Sequence, residues 1–253
     1  MPLIETESLV VKSYGLAEAD RIVVFLTRDH GVVRGVAKGA RRLKSKFGSS
    51  LEPFSVVKLT FFQKDSVELV SIQDVELVRS GFEIASNVDF IQRFAYLAEL
   101  LLIFSLPHDP NETLYRMVKT CVEAATEDTS NIDAIGVYFE IWLLKLAGFL
   151  PDWKNCENCG RELVAGNEVG ISPTLHLTCR ECSSIAHSRS VRTDIIGLLN
   201  ASRSMAPSEF AKFANNTPDS IAELSAIAKR IIERSIGRRV PTEMSLSVKG
   251  RPN

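Results

Sequence analysis

The sequence predicts a multi-domain α+β chain, with a five-stranded barrel first and then a helical domain that carries a four-cysteine insertion. Three observations predict this. Apolar residues alternate with period two to about residue 78, and recur with a period near 3.6 from Asp89 onward. Five strand-like segments fall within some seventy residues, with no helical pattern between them. Two Cys-x-x-Cys pairs, Cys156/Cys159 and Cys179/Cys182, lie nineteen residues apart. The boundaries that follow are 1–80 for the barrel, 81–253 for the helical domain, and about 153–187 for the insertion.

The strand candidates are 8–14, 21–27, 32–37, 54–63 and 67–77. Asp29-His30-Gly31 and Lys64-Asp65-Ser66 are turn signals between them. Five strands without a crossover helix suit a small closed barrel. The oligonucleotide-binding barrel is the first candidate, and an SH3-like barrel is the alternative on pattern alone.

Strands three and four are separated by a cationic stretch. From His30 to Leu51 there is no acidic residue, whereas Arg34, Lys38, Arg41, Arg42, Lys44 and Lys46 are all basic. Gly39, Gly48 and the serines predict a flexible loop, which suits tracking of a nucleic-acid backbone. A solvated loop without a partner fits the same residues. Tyr14, Phe47, Phe54, Phe61 and Phe62 are the aromatics near it. Most are expected inside the barrel, with Phe47 the best candidate to stack on a base.

Beyond Asp89, the helical stripes are Phe90/Phe94/Leu97/Leu101/Phe104, Leu114/Met117/Val118/Cys121/Ala125 and Ile135/Phe139/Trp142/Leu143/Leu146. Pro107 ends the first, and Gly148 and Pro151 end the third. Short helices are predicted over 191–201 and 208–214. Thr217-Pro218 opens a last one, with Ile221, Leu224, Ala228, Ile231 and Ile232 inward. Arg230, Arg234, Arg238 and Arg239 make its end basic, as the helix dipole favours. The tail from Pro241 is expected to be poorly ordered.

A Cys-x-x-Cys turn sets two sulfurs on one side of a tight loop, and two such turns satisfy tetrahedral Zn²⁺. Disulfides and redox chemistry are the alternatives, and an oxidising compartment is not indicated. Four thiolates would close the coordination shell, so the expected role is structural. His176 and His187 flank the second pair and are expected to be solvated. Few apolar residues lie in this segment, so the metal is expected to hold most of it together. Cys121 reads as a small buried hydrophobe.

The 253 residues are 45% hydrophobic and 24% charged, an ordinary globular composition. The first five residues show no signal-peptide pattern, which predicts a cytosolic protein. Net charge is −1, but its distribution is uneven: 12 basic against 10 acidic over 1–80, 5 against 11 over 81–155, and 13 against 10 over 156–253. Two mildly basic ends hint at a nucleic-acid surface.

The order of parts resembles the RecO family of bacterial recombination mediators. Three stretches carry the likeness: residues 30–42, continuing through Phe47 to Leu51-Glu-Pro-Phe54; Leu144-Lys-Leu-Ala-Gly-Phe-Leu-Pro-Asp-Trp153; and the cysteine quartet. The resemblance implies a DNA repair protein of the bacterial cytoplasm and nucleoid that binds single- and double-stranded DNA and anneals complementary strands. It implies cooperation with RecR in loading RecA onto DNA coated by single-stranded-DNA-binding protein, whose C-terminal tail it would also bind. No catalytic residues are implied. Carried onto this chain, the DNA contacts would be Arg34, Lys38, Arg41, Arg42, Lys44 and Lys46. One structural Zn²⁺ would sit on Cys156, Cys159, Cys179 and Cys182. A protein-interaction scaffold, an RNA-binding barrel and a zinc-dependent enzyme such as a nucleobase hydrolase or nuclease are the rival readings.

Overall fold

The first strand, β1 (Leu3–Leu16), is long because it serves two partners. Its first half pairs with β4 (Val56–Phe62), and its second with β2 (Asp20–Thr27). The register slips by one residue between Val10 and Lys12, and such a bulge bends and twists a strand. β2 pairs with β3 (Val32–Ala37), β4 with β5 (Leu69–Arg79), and a parallel β3–β5 pairing closes the ring. The order β1-β2-β3-β5-β4 is that of the oligonucleotide-binding barrel, so the SH3-like alternative falls. These statements come from a computed structural model that describes residues 3–63, 69–81 and 87–238. The 64–66 turn, the start of the predicted fifth strand, Arg239 and the tail from Pro241 lie outside the described residues.

Alternation along the strands divides the barrel's two faces. Val10, Val23, Phe25, Leu59 and Phe61 fill the interior, while Leu9, Val11, Val24 and Leu26 join the core of the helices outside. Gly35 sits at the closure. A Cβ there would lie 2.7 Å from Ile72 Cγ1 and 2.9 Å from Val70 Cγ2. Gly35→Ala is therefore expected to cost about 1–3 kcal/mol by overpacking. Urea denaturation tests this, and an unchanged midpoint would mean that the β3–β5 seam adapts.

The helical body packs on the barrel's outer face. α1 (Val88–Phe104) is capped by Asn87, whose side chain accepts from Phe90 N. Asn111 does the same at Leu114 N for α2 (Glu112–Glu127). Phe54 presents its edge to Phe90 and Phe94, at ring-centroid distances of 5.4 and 5.6 Å. Glu7 of β1 accepts from Tyr115 Oη and Lys119 Nζ of α2, each at 2.8 Å. The Lys119 bond leads in holding the Glu7 carboxyl below its ordinary value, against the opposing cost of burial.

α3 (Ile132–Leu146) is buried on almost every side. It runs among α1, α2 and three later helices: α5 (Ile195–Ser204), α6 (Pro207–Ala214) and α7 (Pro218–Ile236). Its Trp142 donates to Ser202 O at 2.7 Å. Cys121 is wholly buried as expected, and burial pushes its thiol far up.

Between α3 and α5 lies the cysteine module. It holds β6 (Val169–Ile171), β7 (Leu177–Cys179), α4 (Arg180–Ser183) and β8 (Arg189–Val191), with sheet order β7-β6-β8. β6 and β7 form a hairpin that turns through 172–175, and β8 extends it on the other edge of β6. The predicted helix from Val191 thus begins only at Ile195. Val191 shares the apolar spacing of that helix, yet it pairs with Val169.

Candidate metal centre and basic barrel loop

Cys156 and Cys159 occupy a tight turn in which Gly160 N donates to Cys156 O at 2.9 Å. Gly160 has φ +71°, a conformation that favours glycine. Glu157 N donates to Leu177 O at 2.9 Å, which ties this turn to β7. Cys179 ends β7 and Cys182 lies in α4, so the second pair arrives on the strand-to-helix corner. The four sulfurs lie within 4.8 Å of one another. Sulfurs about 2.3 Å from a tetrahedral zinc sit about 3.8 Å apart. Cys159 Sγ and Cys179 Sγ are separated by 3.8 Å.

The electrostatics fit a cation. Burial alone would raise the Cys156 thiol, but backbone N–H groups of Cys159, Cys179 and Asn158 bring it down to about 6. The Asn158 side chain lowers the Cys182 thiol, but the neighbouring sulfurs and burial outweigh it and push the thiol up to about 11. One thiolate is favoured in this cluster and a second is opposed, until a positive charge shares them. The four cysteines can therefore hold a metal ion. Neither His176 nor His187 joins the cluster among the described residues. His176 Nδ1 lies 3.4 Å from Glu157 Oε1.

The module has apolar support of its own besides any metal, more than its sparse apolar content suggested. Trp153, Leu163, Ile171, Leu175, Leu177 and Val191 belong to the same buried cluster as the helices. Trp153 Nε1 donates to Leu175 O at 2.9 Å. Apolar residues thinly spread along the chain converge here and share the body's core.

The basic loop is a succession of turns stitched to the barrel. Arg41 N donates to Ala19 O at 2.9 Å, Gly39 N to Asp20 Oδ1 at 2.8 Å, and Phe54 N to Val10 O at 2.7 Å. Phe47, expected to be exposed for stacking, is 3% exposed and packs with Leu51 inside the barrel. Burial of an apolar ring outweighs the polar composition around it. Lys46 stays exposed, donating to Gln73 O and standing 5.1 Å from the Phe47 ring.

Lys38, Arg41, Arg42 and Lys44 are exposed, and none forms an ion pair with the described residues. Arg41 Nη1 donates to Ala17 O at 2.7 Å, which sets its guanidinium against the β1–β2 turn. Arg34 stands apart, half-buried in β3 opposite Val24 and Leu69. A cleft of about 380 Å³ opens beside the loop, lined in part by Tyr14, Arg21 and Arg41. Tyr14 is 43% exposed there. Leu43, which sequence reasoning passed over, is fully exposed between Arg42 and Lys44. An apolar residue inside a cationic run was the available signal.

A closed oligonucleotide-binding barrel, with an exposed basic loop and a helical body bearing a four-thiol cluster, defines a class of barrel proteins whose helical half can hold a metal ion. Residues 1–81 match the family described as Recombination protein O N terminal, and residues 94–244 match Recombination protein O C terminal. The chain belongs to the RecO family. A DNA repair protein RecO of Koribacter versatilis is 29% identical over 161 residues, 63% of this chain and 64% of that protein. Its counterpart in Bifidobacterium adolescentis is 33% identical over 163 residues, 64% and 66% of the two chains. That of Thermodesulfovibrio yellowstonii is 31% identical over 189 residues, 72% and 71% of the two. The first two matches span 64% and 66% of those relatives' own length. No helix among the described residues is long and apolar enough to cross a membrane.

Proposed function

We propose that this chain is a DNA repair protein that binds nucleic-acid backbones and anneals complementary strands without a chemical step. One observation carries the reading. Lys38, Arg41, Arg42 and Lys44 stand exposed and without carboxylate partners among the described residues, on the loop that plugs an oligonucleotide-binding barrel. Two bare backbones repel, and cations that hold both lower that barrier by displacing counterions. Contacts to phosphate carry no sequence information, so discrimination among sequences is expected to be low. Tyr14 and Leu43 supply the apolar surfaces that a base would meet.

Family membership supports the finer assignments within this proposal. They are binding of single- and double-stranded DNA, cooperation with RecR in loading RecA, and contact with the C-terminal tail of single-stranded-DNA-binding protein, in the bacterial cytoplasm. Cys156, Cys159, Cys179 and Cys182 are assigned one Zn²⁺ in a closed, structural role. The ion would supply charge for the thiolates and stiffness for the module, and the reading contains no catalytic residue.

The test is a salt series. Arg41 also bonds Ala17, so Arg42→Ala/Lys44→Ala is the cleaner variant. Its plot of log affinity against log salt for a single strand is expected to be shallower by about 1.4, at about 0.7 for each phosphate no longer neutralised. The weakening is expected for every sequence alike, and annealing of complementary oligonucleotides is expected to slow with it. A slope equal to that of the parent protein would remove the loop from the mechanism.

A further inference from the structure

Cations without a carboxylate partner also gather outside the barrel loop. In and beside the cysteine module, Arg161, Arg180, Arg189 and Arg192 each meet a carboxylate, at 3.0, 3.2, 2.8 and 3.0 Å. Along the end of α7 the pattern changes. Arg230, Arg234 and Arg238 are exposed, and none has an ion pair or hydrogen bond among the described residues. Arg230 and Arg234 are four residues apart on α7, and at helical rise that spacing sets their stems about 6 Å apart along the axis, while Arg238 follows just past the left-handed cap at Gly237. The opposite face of α7 is held in the core by Ile227, Ala228, Ile231 and Ile232. The row is therefore presented outward from a fixed rod.

The helix dipole accounts for part of this row and not the whole. Its effect fades beyond the last turn, and Arg230 lies six residues before the end of α7 at Ile236. The row also has a facing wall. Pro173 and Leu175 of the module close a groove of about 420 Å³ with the three arginines and Gly237. Leu175 has φ +68°, an unusual conformation for leucine. It is held there by Leu175 N donating to Ser172 O and by Trp153 Nε1 donating to Leu175 O, both at 2.9 Å. Trp153 is among the largest fully buried side chains, so the wall is braced by the helical body. Glu233 is the one carboxylate among the described lining residues, against three guanidinium groups.

We propose that the α7 arginine row and the 172–175 turn form a second nucleic-acid site, one that grips the sugar–phosphate backbone of a single strand. The repeat of the row is of the order of an extended backbone's phosphate repeat. Arginine is suited to phosphate by its planar fork of donors. Among the described lining residues there is no aromatic for a base to stack on and no deep apolar pocket to anchor a peptide. This inference rests on the proposed annealing function and deepens it. One strand would lie on the barrel loop and the other on α7. Annealing then becomes an encounter on one molecule, at raised effective concentration.

The test uses the full chain with zinc bound. The variants are Arg230→Ala/Arg234→Ala/Arg238→Ala and the corresponding triple lysine change, with Arg42→Ala/Lys44→Ala alongside. Two non-complementary oligonucleotides carrying different fluorophores report how many strands one protein holds, and a complementary pair reports annealing. The triple alanine variant is expected to keep the first strand and lose the second, and to anneal about tenfold more slowly, as the removal of several phosphate-binding cations implies. The triple lysine variant is expected to recover most of both, which separates charge from folding. Two strands held and annealed by the triple alanine variant as by the parent would overturn the second site. So would an unchanged strand count together with loss of binding to an acidic peptide, which would make the face a protein-docking surface. Failure of the parent protein to bind any strand at low salt would instead overturn the annealing function, and this site with it.

Discussion

Cys156→Ser is expected to destabilise the helical half of the chain so that it melts before the barrel does. Cys156 is buried, and its sulfur accepts from Cys179 N at 3.3 Å, so it links the two cysteine pairs. A serine oxygen is a poor substitute for a thiolate on zinc. Structural zinc contributes about 10–16 kcal/mol of apparent binding free energy in small peptides, as much as a whole domain's stability. In an isolated finger the damage would stay local. Here Trp153, Leu175 and Leu177 share the core of the helices, so a collapsed module opens that core as well. The barrel interior forms its own cluster and is expected to melt separately. Two thermal transitions in place of one, with zinc content falling below one per chain, are the expected result; a strong chelator is expected to do the same to the parent. A variant that keeps its zinc and melts within about 2 °C of the parent, a difference of about 1 kcal/mol or less, would end the structural assignment.

Glu140→Ala is the second large effect. Glu140 is fully buried in the middle of α3. Its Oε1 lies 3.1 Å from Arg93 Nη1, and its Oε2 accepts from Ser225 Oγ at 3.4 Å. Arg93 lies flat against α3, where a Cβ on Gly136 would fall 2.0 Å from its Nε. Truncating the glutamate strands this nearly buried guanidinium, a loss of about 3–5 kcal/mol. Replacing both partners by apolar residues, as in Arg93→Met/Glu140→Leu, is expected to recover most of that loss, because two desolvation costs vanish together. Equal instability of the single and double variants in urea would show that the pair's charges are not the cause.

The same carboxyl implies a pH dependence. Burial pushes it above its ordinary value, with Arg93 and Lys229 opposing. Between the unfolded and folded values the native state holds the extra proton. Stability from this group is therefore full below the unfolded value and falls as pH rises through the folded one. Glu140→Gln is expected to flatten that part of the stability profile.

Much of this protein is written in short-range pattern. The change of period near Asp89 separates barrel from helices, because strands and helices bury alternate and every third or fourth residue respectively. Thr217-Pro218 marks the start of α7, and the Cys-x-x-Cys spacing marks all four candidate ligands, since both depend on neighbours a few residues away. What depends on distant neighbours was decided only in three dimensions. Phe47 looks like an exposed loop aromatic until the barrel's open end is there to receive it. Val191 reads as helix until Val169 offers it a strand. Arg93 and Glu140 become a buried pair only when α1 meets α3. Which arginines stay unpaired, on the loop and on α7, emerges only after many of the others have found their carboxylates. Burial and charge pairing are properties of the assembled neighbourhood, whereas periodicity and ligand spacing are properties of the chain.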